Sequence, residues 1–591
     1  LKAAKKLGFS DLELAELKGL TEKEIRSLRK EYNVAPTYKL VDTCAAEFDA
    51  VTPYFYSCYE EENEALHDPN AEKVLVIGSG PIRIGQGVEF DYCSVHCVWA
   101  LKEAGKKAII VNNNPETVST DFDTSDRLYF EPLIYEDVMN IIEEERPEGV
   151  IVQFGGQTAI NLASSLDKAG VNILGSSNDS IDRAEDRERF DNMLEKLGIP
   201  RPPGESVFSS QEAVSAAEKI GYPVLVRPSY VLGGRAMEIV YNQQELENYM
   251  ETAVKINKDH PVLVDKYLLG REIEVDAVCD GKEVLIPGIM QHIERAGVHS
   301  GDSMAVFPPF DLSQAIIDKV IDYTYKLALE LEVRGLINIQ FVEYDNELYV
   351  IEVNPRSSRT IPFMSKVTGL PLVKIATNIM LGKSIEEQGY QGGLQPIPPF
   401  YAVKVPVFSF NKLEQVDINL GPEMKSTGEV LGIDKSLNAA IYKGLLAAGV
   451  EIPQKGTMLA TIADKDKNEA VPIIKEFSQM GFKIIATEGT AKILKANGIP
   501  VELVPKISEG SPNILDLIRS GKVDVVVNTI THARKPFSDG FQIRRAAVEL
   551  NVPCLTSLDT LKVVQQVLKD GSEFISQNAY SLQDYVSLLS K

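Results

Sequence analysis

Residues 351–360, "IEVNPRSSRT", bring a carboxylate, an amide and two guanidiniums to the end of an apolar segment. Alternate side chains of a strand share a face. Glu352, Asn354 and Arg356 therefore point the same way if "YVIEV" is the strand its β-branched and aromatic residues suggest. A carboxylate and an amide oxygen on one face, followed by Arg356 and Arg359, suit a metal ion beside an anion. A salt-bridged strand end is the plain structural alternative. The preceding residues complete a hairpin, "GLINIQFVEYDNELYVIEVNPR", with Asp345, Asn346 and Glu347 at its tip. Folding it about Asn346 sets Gln340 opposite Glu352, whereas a one-residue slip would separate their faces. In that register Gln340, Glu352 and Asn354 offer three hard oxygen ligands, a set that suits Mg²⁺ with room left for water and phosphate. Arg356 and Arg359 would flank the metal and clamp a transferring phosphoryl group or a second anion.

Upstream residues suggest a grip on a nucleotide. Arg227 ends the strand "PVLVRP", and "SYVLGGRAM" places Gly233 and Gly234 where backbone can approach phosphate, although a simple turn explains the pair equally well. In "VDKYLLGREIEVD" a strand feeds a hinge at Lys266, Tyr267 and Leu268, which can offer backbone groups to an adenine edge. Glu272 then lies within reach of ribose hydroxyls. "AGVHSGD" (296–302) joins glycine to His299 and Ser300, as a loop closing over phosphates would, and His299 reads equally as a surface histidine. "GSGPIRIGQG" invites a dinucleotide-binding reading. However, Arg83 stands where a glycine is needed, Gly85 falls two residues late, and "IIVNNNPET" presents amides where an acidic residue belongs.

The elements that must position these groups recur as strand, turn and helix from "EKVLVIGSG" to about residue 190, a parallel α/β pattern. Longer, antiparallel-looking strands follow. A Gly- and Pro-rich stretch near 391–403 then changes the texture, and a last α/β unit carries "TMLATIA", "FKIIAT", "PVELV", "VDVVVNT" and "VPCLT" as strands. Residues 1–70 alternate short helical patterns with "GFSD" and "GLTE". Cys93 and Cys97, one helical turn apart near His96, read as the packing of a buried helix more readily than as a metal site.

Length sets the scale, since 591 residues suggest roughly four domains at ~150 residues each. The formal net charge of −24 argues against a nucleic-acid surface while leaving room for local basic pockets. Six scattered cysteines without a CxxC suggest reduced thiols in the cytoplasm. No apolar run reaches the length of a membrane span, and the opening is already amphipathic, without Met, as in a fragment of a longer chain.

Several long motifs together carry a resemblance: "RAEDRERF", "RPSYVLGGRAMEIVY", "AGVHSGDS" and "IEVNPRSSRT" are similar to the ATP-grasp module of the carbamoyl phosphate synthetase large subunit, in its carboxy-terminal half. "KVLVIGSGPIRIGQGVEFDYC" resembles the pre-ATP-grasp domain of that half. "GFKIIATEGTA" with "VVNTITHARKP" resembles its allosteric domain of the methylglyoxal-synthase-like fold. The implied architecture is multidomain α/β and α+β. It comprises a helical N-terminal unit left from the oligomerisation domain (1–70), a pre-ATP-grasp domain (71–190), an ATP-grasp domain (191–385), the remainder of the synthetase unit and linker (386–454) and a Rossmann-type methylglyoxal-synthase-like domain (455–591).

The resemblance implies that ATP phosphorylates carbamate to carbamoyl phosphate, for pyrimidine and/or arginine biosynthesis. On matching positions Arg187, Arg227, Lys266, Leu268, Glu272, Gly297, Val298, His299 and Ser300 would hold ATP. Gln340, Glu352 and Asn354 would hold Mg²⁺ or Mn²⁺, and Arg356 and Arg359 would stabilise the phosphoryl group and carbamate. At Lys266 the backbone matters more than the side chain. A loop around 229–237 and 296–302 would close to keep water from the carbamate. Lys467, Thr487, Thr490, Lys506, Asn528 and Thr529 match an effector pocket for a nucleoside monophosphate, although either threonine alone reads as a helix cap. The effector's identity stays open between pyrimidine and purine. Glu294 and Asp302 match positions that bind ornithine in some members. The implied partners are a missing N-terminal synthetase half and a glutaminase small subunit, with homo-oligomers left open. Two alternatives stand beside this reading: another ATP-grasp ligase of the biotin carboxylase kind, and a non-catalytic effector-binding module.

Overall fold

The computed structural model describes residues 1–66, 70–228, 234, 236–256, 261–413, 416–530, 538–570 and 580–590. Two N-terminal helices, Asp11–Lys18 and Glu22–Glu31, start where "GFSD" and "GLTE" close capping boxes, Ser10 with Glu13 and Thr21 with Glu24. Helix then gives way to strand. β1 (Thr37–Leu40) and β2 (Tyr54–Cys58) join β3 (Lys73–Ile77), β4 (Lys107–Asn112), β5 (Arg127–Phe130) and β6 (Gly149–Ile151) in one sheet ordered β1-β2-β5-β4-β3-β6. The stretch expected to be a helical unit to residue 70 therefore contributes two strands to the sheet that follows, because "TYKL" and "YFYSC" supply the β-formers to extend it. A buried ion cluster ties down these helices and the short one before them, Lys2–Lys6: Lys5 meets Glu136, and Arg29 forks onto Asp11.

A four-stranded sheet comes next, with β7 (Gly204–Val207), β8 (Val224–Pro228), β9 (Glu238–Val240) and β10 (Val262–Lys266) ordered β7-β10-β8-β9. A nine-stranded sheet then runs β16-β15-β11-β13-β14-β18-β19, with β12 and β17 at its side. Its strands are β11 (Arg271–Asp280), β12 (Val284–Ile286), β13 (Met290–His292), β14 (Ala305–Phe307), β15 (Arg334–Tyr344), β16 (Glu347–Asn354), β17 (Gly393–Leu394), β18 (Tyr401–Val407) and β19 (Gly428–Asp434). Residues 386–454 thus add strands and a helix to this sheet. The last unit is an all-parallel sheet, β20 (Thr457–Thr461), β21 (Lys483–Ala486), β22 (Val501–Leu503), β23 (Val525–Asn528) and β24 (Cys554–Leu555), ordered β22-β21-β20-β23-β24. All five of its strands fall on the segments the sequence marked.

Cores cross these boundaries. Val76 of β3 and Cys93, Cys97 and Leu101 of the helix Glu89–Glu103 pack in one cluster with Ile361, Met364 and Ile375 from helices after β16. Both cysteines are fully buried and unpaired, as helix packing requires. Among the described residues no helix is long and apolar enough to cross a membrane.

β19 lies against the helix Leu437–Ala447 so closely that a Cβ on Gly432 would strike the Ala440 carbonyl and the Gly444 amide, both backbone. Gly432→Ala is expected to lower stability by about 1–3 kcal/mol, the usual cost of overpacking where backbone cannot yield. Denaturant unfolding monitored by circular dichroism measures it.

Candidate active site

The β15–β16 hairpin closes through a two-residue turn, Asp345 and Asn346, both at positive φ (52° and 62°), the backbone that suits the strand twist and that Asn and Asp tolerate. From the turn, Tyr344 pairs with Glu347 and Phe341 with Val350; the register then shifts, and Gln340 pairs with Glu352 and Asn338 with Asn354. Ile351 is the extra residue of a β-bulge. Leu348 and Val350 face inward before it, and Val353 does so after it, which leaves Glu352 exposed and Asn354 half-buried. The pairing of Gln340 with Glu352 read from the sequence is present, and the bulge produces it; the turn itself is one residue shorter than read.

Register extends the face across three strands. Glu274, Gln340 and Glu352 lie side by side in one row, and Asp276, Asn338 and Asn354 in the next. Asn338 donates to both Glu274 (2.8 Å) and Asp276 (3.0 Å). Asp276 also accepts from Ser358 (2.6 Å) and Thr360, so the hydroxyls of "SSRT" pin the turn that carries both arginines. Arg356 donates to the Asn354 Oδ1 (3.2 Å) and the Ser357 carbonyl (2.8 Å), and lies 6.0 Å from the centre of the Phe90 ring. Arg359 donates to the Gly85 carbonyl at 2.7 Å, so the "GSGPIRIGQG" loop walls this site. Burial lowers the pKa of both arginines.

"AGVHSGD" meets the same face. Gln340 donates to Ser300 Oγ (3.1 Å), and Lys404 to the Ser300 carbonyl (2.8 Å). His299 Nδ1 accepts from the Gly301 amide (3.0 Å), which places the ring proton on Nε2. Burial and the nearby Arg359 push its pKa down to about 3, so the ring is a neutral donor rather than a solvated surface histidine. Gly297 has φ +109°, and a side chain there would crowd Tyr267 Oη. Val298 is half-buried beside it. Gly234 is buried with φ +66°, and a Cβ would collide with the Pro422 carbonyl; Gly233 lies outside the described residues.

Arg187 and Arg227 gather elsewhere. Arg187 forks onto Asp265 (2.6 and 3.2 Å), and Arg227 lies 3.6 Å from the same carboxylate. Neither shares a hydrogen bond or ion pair with the Gln340–Glu352 face among the described residues. Lys266 Nζ is spent on the Gly221 and Tyr222 carbonyls (2.8 and 3.2 Å). The hinge also departs from expectation: the Lys266 and Tyr267 amides donate to Pro203 and Pro223, so those two donors are used inside the protein. Leu268 is buried with Ala296 and Val342, flanked by Tyr349 and Ile351, an apolar patch suited to a flat ring. Glu272 is buried, with its Oε1 3.7 Å from His292 Nδ1. Burial pushes its pKa from the ordinary 4.5 up to about 7, against the pull of His292. Glu274, Asp276, His292, Asn338 and Lys404 escaped the sequence reading, although "REIEVD" does show the alternation that puts Glu272, Glu274 and Asp276 on one face.

In the C-terminal sheet the candidates follow the carboxyl ends of the strands: Lys467, Asn528 and Thr529 beyond β20 and β23, whose junction is the switch point where open α/β sheets take ligands, Thr487 and Thr490 beyond β21, and Lys506 beyond the edge strand β22. Lys467 opens the helix after β20 and pairs with Asp464 (2.5 Å). Thr487 occupies an N-cap position without a capping bond from its side chain. Thr490 is buried and bonded to Ile462, so it braces the strand end. Asn528 donates to Thr461 (2.6 Å), and Thr529 accepts from Ala463 (2.9 Å). Lys506 sits exposed beyond β22. Glu294 accepts from Ser303, Met304 and Thr560, and Asp302 from Lys425 and Ser426.

Three family models match in order: Carbamoyl phosphate synthase preATP-grasp domain over residues 70–183, Carbamoyl-phosphate synthase L chain, ATP binding domain over 186–388, and MGS-like domain over 469–556. Among solved structures, biotin carboxylase from Campylobacter jejuni in a β,γ-ATP complex shares the fold at TM-score 0.50 and 17% identity, covering 63% of this chain and 89% of that one. Pyruvate carboxylase from Rhizobium etli matches at TM-score 0.47 and 18% identity over 57% of this chain and 31% of its own. The biotin carboxylase domain of 2-oxoglutarate carboxylase from Hydrogenobacter thermophilus, a complex with MgADP and bicarbonate, matches at TM-score 0.47 and 21% identity over 61% and 83%.

The raised Glu272 pKa has a consequence for stability. Its carboxyl keeps a proton in the folded chain that the unfolded chain loses near 4.5, so stability falls as pH rises from there through about 7. Glu272→Gln removes that penalty. At about 1.4 kcal/mol per pH unit, the variant is expected to gain up to about 3 kcal/mol on the wild type between pH 5 and pH 8 in paired urea titrations.

Proposed function

We propose that this chain, a member of the carbamoyl phosphate synthetase large-subunit family with the domain order of that subunit's carboxy-terminal half, uses ATP to phosphorylate carbamate. The observation that carries the reading is the polar face of Gln340, Glu352 and Asn354 with the Arg356 guanidinium bonded at its edge. A carbamate oxygen attacks the γ-phosphorus, the bond to the ADP oxygen breaks, and carbamoyl phosphate and ADP result. Such a transfer asks the protein for alignment and charge neutralisation rather than covalent help.

One carboxylate and two amide oxygens on an accessible face fit Mg²⁺ or Mn²⁺, which would be held by Gln340, Glu352 and Asn354 and would neutralise phosphate charge there. Arg356 and Arg359 supply fixed donors for the phosphoryl oxygens and the carbamate. Burial desolvates both, which strengthens what they give to a developing charge. His299 adds a neutral Nε2–H. Leu268 and its apolar neighbours provide a surface for the adenine, and Glu272, when ionised, an acceptor for ribose hydroxyls.

An N-terminal synthetase half and a glutaminase subunit would supply the carbamate, feeding pyrimidine and/or arginine synthesis. The six free cysteines fit a reducing compartment such as the cytoplasm. A nucleoside monophosphate would occupy the carboxyl edge of the C-terminal sheet as effector, near Lys467, Thr487 and Asn528. The match to the MGS-like domain beside the two carbamoyl phosphate synthase models weighs against the biotin carboxylase alternative.

With MgADP and carbamoyl phosphate the chain is expected to form ATP, followed by a luciferase assay. Glu352→Gln and Arg356→Ala should each lower the rate about 10²–10³-fold, as loss of one transition-state donor or charge typically does. A metal chelator should stop it. No ATP above the Glu352→Gln background would refute the reading.

A further inference from the structure

The loop joining β18 to β19 touches both functional regions over residues 416–427. At one end Asp417 receives a two-pronged bond from Arg544, through Nε (2.7 Å) and the second guanidinium arm. Arg544 comes from the helix Asp539–Glu549 of the C-terminal unit and is 4% exposed. Its remaining terminal nitrogen donates to Asn528 Oδ1 at 2.6 Å, and Asn528 Nδ2 donates onward to Thr461. One rigid guanidinium thus bridges the effector edge and the loop, a geometry a lysine could not reproduce. Burial alone would raise the Asp417 pKa, yet Arg544 holds it below the usual carboxylate range.

The other end of the loop sits on the phosphate-binding segment. Asp302 accepts from the Lys425 and Ser426 amides (both 2.8 Å), Ser426 Oγ donates to the Gly301 carbonyl (2.9 Å), and the His299 amide donates to Gly421 (2.8 Å). Met424 Sδ lies against the Arg359 guanidinium. Between the ends, Lys425 Nζ donates to the carbonyls of Asp417 and Asn419, which makes the loop a braced unit.

We propose that Asp417 and Arg544 are positioning residues that clamp loop 416–427 between the C-terminal sheet and the segment 296–302, so that a nucleotide held on Asn528 resets His299 and Arg359. This rests on the effector and synthetase readings above. A ligand donor, such as a ring N–H, that takes Asn528 Oδ1 competes with Arg544 for that oxygen, and the only other acceptors of that guanidinium among the described residues are the two oxygens of Asp417. Any reorientation of Arg544 therefore falls on Asp417 and the loop braced to it.

The test uses the full chain with Asp417→Asn and Arg544→Lys. KM for ADP in ATP formation is measured with and without saturating UMP or IMP, beside calorimetric binding of the same nucleotides. Wild type is expected to bind one of them and to show a KM shift of about 5-fold or more, the lower end of ordinary coupling. Asp417→Asn should bind it with affinity within about two-fold, yet shift KM by less than about two-fold. Arg544→Lys should lose the shift as well. A purely structural role would lower the melting temperature and leave the KM ratio intact, and an undiminished ratio in both variants overturns the proposal. Absence of UMP and IMP binding to wild type would overturn it through the effector reading, and absence of ATP formation through the synthetase reading, so the three failures are distinct.

Discussion

The extra residue in β16 is the constraint on which the site depends. Up to Val350 the strand sends its even-numbered side chains into the core; without the bulge Glu352 would follow Leu348 and Val350 inward. A lone carboxylate there would be costly to bury and useless to a ligand. With Ile351 inserted, Val353 takes the core position, Glu352 and Asn354 turn outward, and β15 need not change to meet them. The chain stores this in a choice of residue types as well: Ile351 is apolar and half-buried, and joins the patch around Leu268.

Behind that face, charge is held by hydrogen bonds rather than by solvent. Glu274 and Asp276 are both buried, and two neighbouring carboxylates cannot both ionise cheaply. Burial, then the neighbouring Glu274, raise the pKa of Asp276. For Glu274 burial is outweighed by His292 and Asn338, and its pKa falls. A protonated Asp276 can still accept from Ser358 and Thr360, so the arginine turn is fixed without a second uncompensated charge. Glu429, half-buried near Lys404 and Arg359, has its pKa pushed up to about 7 by desolvation. Burial thus shifts Glu272, Asp276 and Glu429 toward their protonated forms while Glu274 is held ionised beside His292, and Lys404 joins the arginines and His299 as donors around them.

Much of this was legible in the sequence, for physical reasons that differ by element. The parallel strands of the C-terminal unit are short β-branched runs bounded by turns, and all five stand where the pattern put them. The hairpin was readable from its two β-rich runs and its Asp-Asn tip, and Gln340 came opposite Glu352 because a turn read one residue too long offset the missing bulge. The bulge was not, since a break in alternation at "VIEV" looks the same as a strand end. Gln340, Glu352, Asn354 and Arg356 come together, while Arg187 and Arg227 meet on Asp265, whose role no local pattern announces. The hinge amides of Lys266 and Tyr267 are spent on prolines far upstream, a contact that only tertiary packing could show. β1 and β2 were hidden for the opposite reason: four or five residues carry too little periodicity to outweigh the helices before them.

The boundaries between units dissolve at the level of packing. Val306 and Val403 of the nine-stranded sheet, with Ile293 and Met304 flanking β13 and β14, share one apolar cluster with Ile441, Met458 and Ala460, reaching into the C-terminal sheet and the helix Leu558–Asp570. Polar links reinforce it: Arg295 pairs with Asp559 (3.0 Å) and Glu469 (2.9 Å), and Thr560 donates to Glu294 (2.7 Å). A close-packed interior responds to a local change by switching between packed arrangements rather than by stretching. Displacement of the C-terminal sheet against β13 and β14 must then also move segment 293–304, which joins those two strands and contains His299 and Ser300. Contact through a shared core and contact through loop 416–427 converge on the same few residues, 299–304.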